Sequence, residues 1–204
     1  MEKTNRYFKI MRGNEDSDPN EATCFEENIG KIKNENHILC QGKKIDEATE
    51  WDDTVTLKYN LKEGNEFTKG YILTDYLNNA IGWVLVSSKF VKLTKHLIKD
   101  DVQYLPVTIL NEKTGEKITS YSVLNIISFT DALDLKNSNY NIWKTRGMEI
   151  LSIIKPAFKR AKLKNKHIFR VKDANHALFV SEEIKKIVEE NNLTGFGFLE
   201  VAVN

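Results

Sequence analysis

The chain has 204 residues, 41% of them hydrophobic and 10% aromatic, with three prolines and a net charge of +1. That length and composition provide one sizeable core and exclude a largely disordered chain, while the near-neutral charge gives no overall field for a polyanion. No apolar run approaches the roughly 20 residues of a membrane span, MEKTNRYFKI lacks the apolar stretch of a secretory signal, and Cys24 and Cys40 are too few for a disulfide framework, so a cytoplasmic protein with reduced thiols and no membrane contact is expected.

In chain order, RYFKIM (6–11) alternates like a strand, and GNEDSDPNEAT (13–23) is loop material. From Arg12 to Asp53 there are twelve Asp/Glu against five Lys/Arg. This acidic stretch holds HILC (37–40), a candidate strand, and ends in EWDD (50–53). VTLKYNL (55–61) predicts a second alternating strand, followed by a turn at KEGNEF. YILTDYLNNA (71–80) predicts a short helix stopped by Gly82. WVLV then predicts a strand running into a helix over 89–98, with Phe90, Leu93 and Leu97 on one face.

VQYLPVTIL (102–110) and ITSYSVLNIISF (118–129) predict a hairpin around NEKTGEK, its second strand long enough to need a bend. Pro106 lacks a backbone donor, so its strand should lie at an edge or be irregular there. DALDLKNS (131–138) predicts a turn region and MEILSII (148–154) a strand. Pro156 suits the first position of a short helix, PAFKRAKL. HIFRV and ALFV predict strands, Ser181 opens a helix, and FGFLEVAV closes the chain as a strand. Two stretches echo each other, VLVSSKF…YLPV and LFVSEEI…FLEV: seventeen residues separate Ser87 from Tyr104, and Ser181 from Phe198.

The fold class expected is α+β: a mixed, mainly antiparallel sheet with a few short helices, including two β–α–β-like units. The whole chain reads as a single domain, with an acidic strand-and-loop portion over 1–69 and a core over 70–204.

Four candidate chemistries stand out. A nucleophilic serine at Ser87 or Ser88 needs a base, and the usual tight turn has glycines two residues to either side. Leu85 and Lys89 flank Ser87, and Val86 and Phe90 flank Ser88, so the reading is a helix cap instead. Ser181, followed by Glu182 and Glu183, is read the same way. Cys24, His37 and Cys40 supply three metal-ligand types without the paired-cysteine spacing of structural zinc. The acid pairs Asp52–Asp53, Asp100–Asp101 and Asp131/Asp134 sit in turn contexts, where carboxylates bond their own backbone. No catalytic residue, metal site or cofactor site emerges.

The fourth candidate is KPAFKRAKLKNKHIFRVK (155–172), with eight Lys/Arg and no acid. A basic patch with aromatics is the footprint of phosphate contacts, which makes a nucleic-acid module using Lys159, Arg160 and Lys162 the alternative function. Against it, lysines on a short helix are ordinarily solvated, and the acidic 12–53 stretch offsets the field.

The ordered set GWVLVSSKFVKLTKHL, VQYLPVTILN, SYSVLNIISFTDALDLKNS, HIFRV and LFVSEEIKKIVEENNLTGFGFLEV resembles the immunity-protein family of bacterial polymorphic toxin systems, once a family of unknown function. The resemblance covers about residues 70–204. It rests on Trp83, Ser87, Phe90, Pro106, Tyr121, Asn125, Asp134, Ser138, Phe169, Arg170, Ser181, Thr194 and Gly195. It implies a non-enzymatic protein that binds and neutralises a cognate toxin domain encoded by an adjacent gene. Complementary charge would speed encounter and select the partner. Glu50, Trp51, Asp52 and Asp53 are the expected contacts, a Trp among carboxylates being able to anchor an interface with a basic partner.

Overall fold

The computed structural model describes residues 6–13, 18–30, 32, 39, 41–46, 50–52, 54–145, 148–171 and 174–204. Among these, β-structure dominates and two α-helices occur. Strands β1 (Tyr7–Arg12), β2 (Thr23–Asn28), β3 (Thr56–Tyr59), β4 (Tyr76–Asn79) and β5 (Leu85–Ser87) lead into helix α1 (Ser88–Ile98). The hairpin β6 (Val102–Asn111) and β7 (Lys117–Ile126) follows, then β8 (Phe129–Thr130), and a second hairpin, β9 (Asn139–Thr145) and β10 (Met148–Lys155). The chain ends with β11 (Ala157–Phe158), β12 (Ile168–Val171), β13 (Ala174–Ser181), helix α2 (Glu182–Glu190) and β14 (Phe196–Val203). No helix is long and apolar enough to cross a membrane among the described residues.

Six strands close into a barrel in the order β2-β3-β6-β7-β5-β4, and six others form a sheet in the order β11-β14-β1-β13-β12-β8. Side-chain alternation explains how the two bodies share a core. Leu85 points into the barrel with Leu57, Leu105, Ile109 and Val123, whereas Val84 and Val86 point outward. That outer face meets Phe8, Ile10, Leu178 and Val180 of the sheet, with Phe90 and Ile98 of α1 and Ile184 and Val188 of α2 in the same cluster. The far face of the sheet buries Tyr7, Phe169 and Phe179 against Leu133, Phe158 and Leu163.

The N-terminal strands are woven into both bodies. β1 lies between β13 and β14, and β2 pairs with β4 to close the barrel. In each of the two echoed stretches the flanking strands are separated by an antiparallel one: β7 lies between β5 and β6, and β1 between β13 and β14.

Two local expectations are corrected. Residues 71–80 form no helix; Tyr76–Asn79 is a strand against β2 and β5, because Tyr76 and Leu77 face opposite cores, a period of two. PAFKRAKL is a two-residue strand beside β14 and one 3-10 turn (Arg160–Lys162), since Ala157 and Phe158 are both buried. On α1 the expected apolar face does meet the core, Phe90 and Ile98 fully buried and Leu93 and Leu97 partly so, and Thr94 is buried among them, its hydroxyl donating to the Phe90 carbonyl at 2.8 Å.

Other expectations match. The bend after Ile126 carries the chain from barrel to sheet. Pro106 lies beside an irregularity at Val107/Ile109, and beyond the end of the β3 pairing, which begins at Thr108. Of HILC only Leu39 is described, so that expected strand lies outside the described residues.

Candidate functional site

Ser87 ends β5 in an extended conformation and caps α1, its Oγ accepting the Phe90 N–H at 3.2 Å. The hydroxyl proton goes to Asp75 Oδ1 at 2.5 Å. The other Asp75 oxygen accepts the Thr194 backbone N–H at 3.0 Å, and the Thr194 carbonyl accepts the Tyr76 N–H at 3.0 Å. Gly195 follows with φ +82, and a Cβ there would collide with the Tyr76 carbonyl and the Thr74 side chain. These bonds join the barrel at β4–β5 to the loop before β14. A hydroxyl that caps a helix and donates to a carboxylate itself held by Thr194 serves as a joint between barrel and sheet.

Ser181 differs from its echo. It has helix-entry geometry, yet its Oγ makes no capping bond and instead meets His167 Nδ1 at 3.0 Å. Glu182 and Glu183 do occupy the first turn of α2.

Cys24 is fully buried in the barrel, where burial pushes the thiol up to about 12, a protonated and poor metal ligand at neutral pH. His37 and Cys40 lie outside the described residues. Of the acid pairs, Asp52–Asp53 includes Asp53, which lies outside the described residues, and the carboxylates of the other two are engaged elsewhere. Asp101 pairs with Lys166 at 3.0 Å, Asp131 with Lys162 at 3.3 Å, and Asp134 accepts the Asn137 amide at 2.7 Å. That Asn137 bond chiefly holds the Asp134 carboxyl below its ordinary range.

Among the expected partner contacts, Trp51 lies inside the barrel. It is 4% exposed, packed at 5.5 Å from the Trp83 ring, with its indole N–H donating to the Pro106 carbonyl at 2.8 Å. The ring fills the barrel core. Glu50 beside it is exposed and Asp52 half-buried, while Asp53 lies outside the described residues. In the basic segment Lys159, Arg160 and Lys162 are exposed, but Lys162 pairs with Asp131 and Arg160 donates to the Val203 carbonyl at 3.3 Å. Phe158 and Phe169 sit in the core behind them, unable to stack on a base.

One exposed corner escaped sequence reasoning. A 3-10 turn at Glu66–Thr68, capped by Asn65, holds Phe67 at 73% exposure, with Tyr71 and Ile72 also exposed. The loop is tied down: Tyr71 and Ile72 N–H groups both donate to the Asn20 carbonyl, at 2.8 and 2.9 Å, and Ala22 N–H donates to the Ile72 carbonyl at 2.8 Å. Gly70 lies directly on the Glu21 carbonyl, leaving no room for a Cβ. The signal was the apolar trio spaced by Thr68, Lys69 and Gly70, masked by the helical pattern of 71–80.

A model of the immunity protein family Imm11 matches residues 7–203, nearly the whole chain. The chain belongs to this family. No curated protein matches it.

Membership extends the resemblance from 70–204 across the N-terminal strands, in keeping with β1 and β2 being integral to the sheet and barrel. The positions that carried the resemblance are largely internal. Trp83, Phe90, Tyr121, Asn125, Phe169, Arg170 and Ser181 are all buried. Tyr121 donates to the Thr74 carbonyl at 3.0 Å, Asn125 to the Lys43 carbonyl at 2.7 Å, and Ser138 ties the 134–138 turn to the Ala157 N–H at 2.9 Å. These residues build the scaffold.

Proposed function

We propose that this chain is the immunity partner of a bacterial toxin. It binds a cognate toxin domain, encoded by an adjacent gene in a polymorphic toxin system, by direct protein–protein contact in the cytoplasm, and neutralises it without catalysing a reaction. The observation that carries this reading is family membership over residues 7–203. It is supported by the commitment of Ser87 to a structural joint and by the surplus of carboxylates over residues 12–53. Charge of one sign on one part of a surface raises encounter rates with an oppositely charged partner. Glu50 and Asp52 are the proposed rim contacts, with Trp51 supporting them from inside the barrel and Asp53 proposed as a contact from the sequence alone.

The experiment is co-expression with the toxin domain encoded by the neighbouring gene. Restored growth and a heterodimer that survives gel filtration are expected. Toxicity that persists despite soluble expression of both chains, with no complex, would refute the proposal. Charge reversal at Glu50 and Asp52 should slow association most at low salt, because rim charges act chiefly on the on-rate.

A further inference from the structure

Phe67, Asp18, Glu21 and Arg12 line one cleft of about 240 Å³ at the junction of barrel and sheet, with Tyr76 and Asn78 at its wall. This corner departs from ordinary protein surface in three ways. A Phe at 73% exposure is an apolar side chain left in water, and Tyr71 at 58% adds to it within the same short loop. The loop is held by its cap and by the backbone bonds to Asn20, so little ordering entropy remains to be lost on binding. The Glu21 carboxylate is partly desolvated and has Asp18 beside it, and among the described residues no cation pairs with either.

The Arg12 guanidinium is turned to other work, donating to Asn78 Oδ1 at 2.9 Å and to the Asn79 carbonyl at 3.0 Å. A carboxylate that is drawn from water without a counterion costs free energy, which a cation from outside would recover. The cleft, about 240 Å³, is roomy enough to admit one long side chain of a partner.

We propose that the corner built from residues 18–21 and 66–72 is the surface on which the toxin domain docks, and that its cleft receives one arginine or lysine side chain of that partner. Phe67 covers the aliphatic stem and shields the salt bridge from water, Tyr71 extends the exposed apolar surface of the same loop for the rest of the interface, and Glu21 and Asp18 hold the charged head. This assignment rests on the immunity reading and names its interface. A second copy of the chain is a poorer occupant, since isologous pairing here would set Asp18 and Glu21 against their own images.

The test measures binding of the purified full chain to the toxin domain encoded by the adjacent gene, rendered inactive by substitution of its own catalytic residue. Phe67→Ala and Tyr71→Ala should each weaken the complex, Phe67→Ala by about thirtyfold, the loss that marks an interface hot spot. Glu21→Gln should weaken it about tenfold at low salt, with the difference shrinking as salt rises. Lys164→Ala, on an exposed residue of the basic segment, should leave affinity within twofold of wild type. All four side chains are exposed or half-buried, and melting temperatures should stay near wild type.

If the wild-type complex forms but Phe67→Ala, Tyr71→Ala and Glu21→Gln all bind within twofold of it, the docking assignment is overturned and the immunity reading stands. If wild type forms no complex with that domain, both fall. A wild-type dimer that Phe67→Ala converts to monomer would also overturn the assignment, in favour of self-association.

Discussion

Replacing Ser87 by Ala removes two bonds made by a single oxygen. The cap to the Phe90 N–H is worth about 1 kcal/mol, and the hydrogen bond to the Asp75 carboxylate about 1.5–3 kcal/mol when fully shielded. Asp75 is half-buried and keeps its bonds to Thr194, so water replaces part of the second term and the expected cost is about 2–3 kcal/mol. At about 2.1 cal/mol/K of unfolding entropy per residue, a 204-residue chain should lose about 5–7 °C of melting temperature. The echo provides the control. Ser181→Ala removes no capping bond, only the contact with His167, so about 1 kcal/mol and roughly 2 °C are expected. Thermal unfolding followed by circular dichroism on both variants decides the matter. Equal losses, or a shift under 1 °C for Ser87→Ala, would refute the claim that this hydroxyl joins the barrel to the sheet.

Trp51→Phe should destabilise the protein by about 1–3 kcal/mol in urea unfolding, because the Pro106 carbonyl loses its donor, while partner affinity below the melting range stays within twofold of wild type; an interface anchor would show the reverse. Cys24 predicts an alkaline weakening of the fold. Its folded pKa, about 12, lies above the ordinary value of 9.0, so the neutral thiol's contribution is complete below about pH 9 and is lost as pH rises, about 1.4 kcal/mol by pH 10. Urea midpoints between pH 7.5 and 10 should fall less steeply for Cys24→Ala than for wild type, and parallel slopes would count against this account.

Much of the architecture could be read from local pattern. Strands such as Tyr7–Arg12 and Phe196–Val203 alternate because their two faces meet two different cores, and a period of two needs no knowledge of what lies on either side. The helix Ser88–Ile98 was legible from its apolar spacing and cap. Residues 71–80 misled because YILTDYLNNA can be read with either period, and only the neighbouring β2 and β5 strands select the extended form. The β9 strand was missed although NYNIWKT carries Tyr140, Ile142 and Trp143, because it follows a turn region directly and, among the described residues, pairs with β10 alone.

The functional surface shows the same division. Trp51 among carboxylates has an interface composition, yet composition does not say which way a ring points, and the barrel closes over it. Phe67, by contrast, sat in a stretch dismissed as a turn and proves to be held outward.

By itself, the sequence determined the strand–serine–helix units, the acidic N-terminal portion and the ordered family pattern, because each is written in neighbouring residues. Closure of the barrel, the burial of Trp51, the different duties of Ser87 and Ser181, and the meeting of Glu21 with Phe67 were decided by tertiary structure alone. Each depends on contacts between residues distant in the chain, and local propensity carries no information about which distant partners will come together.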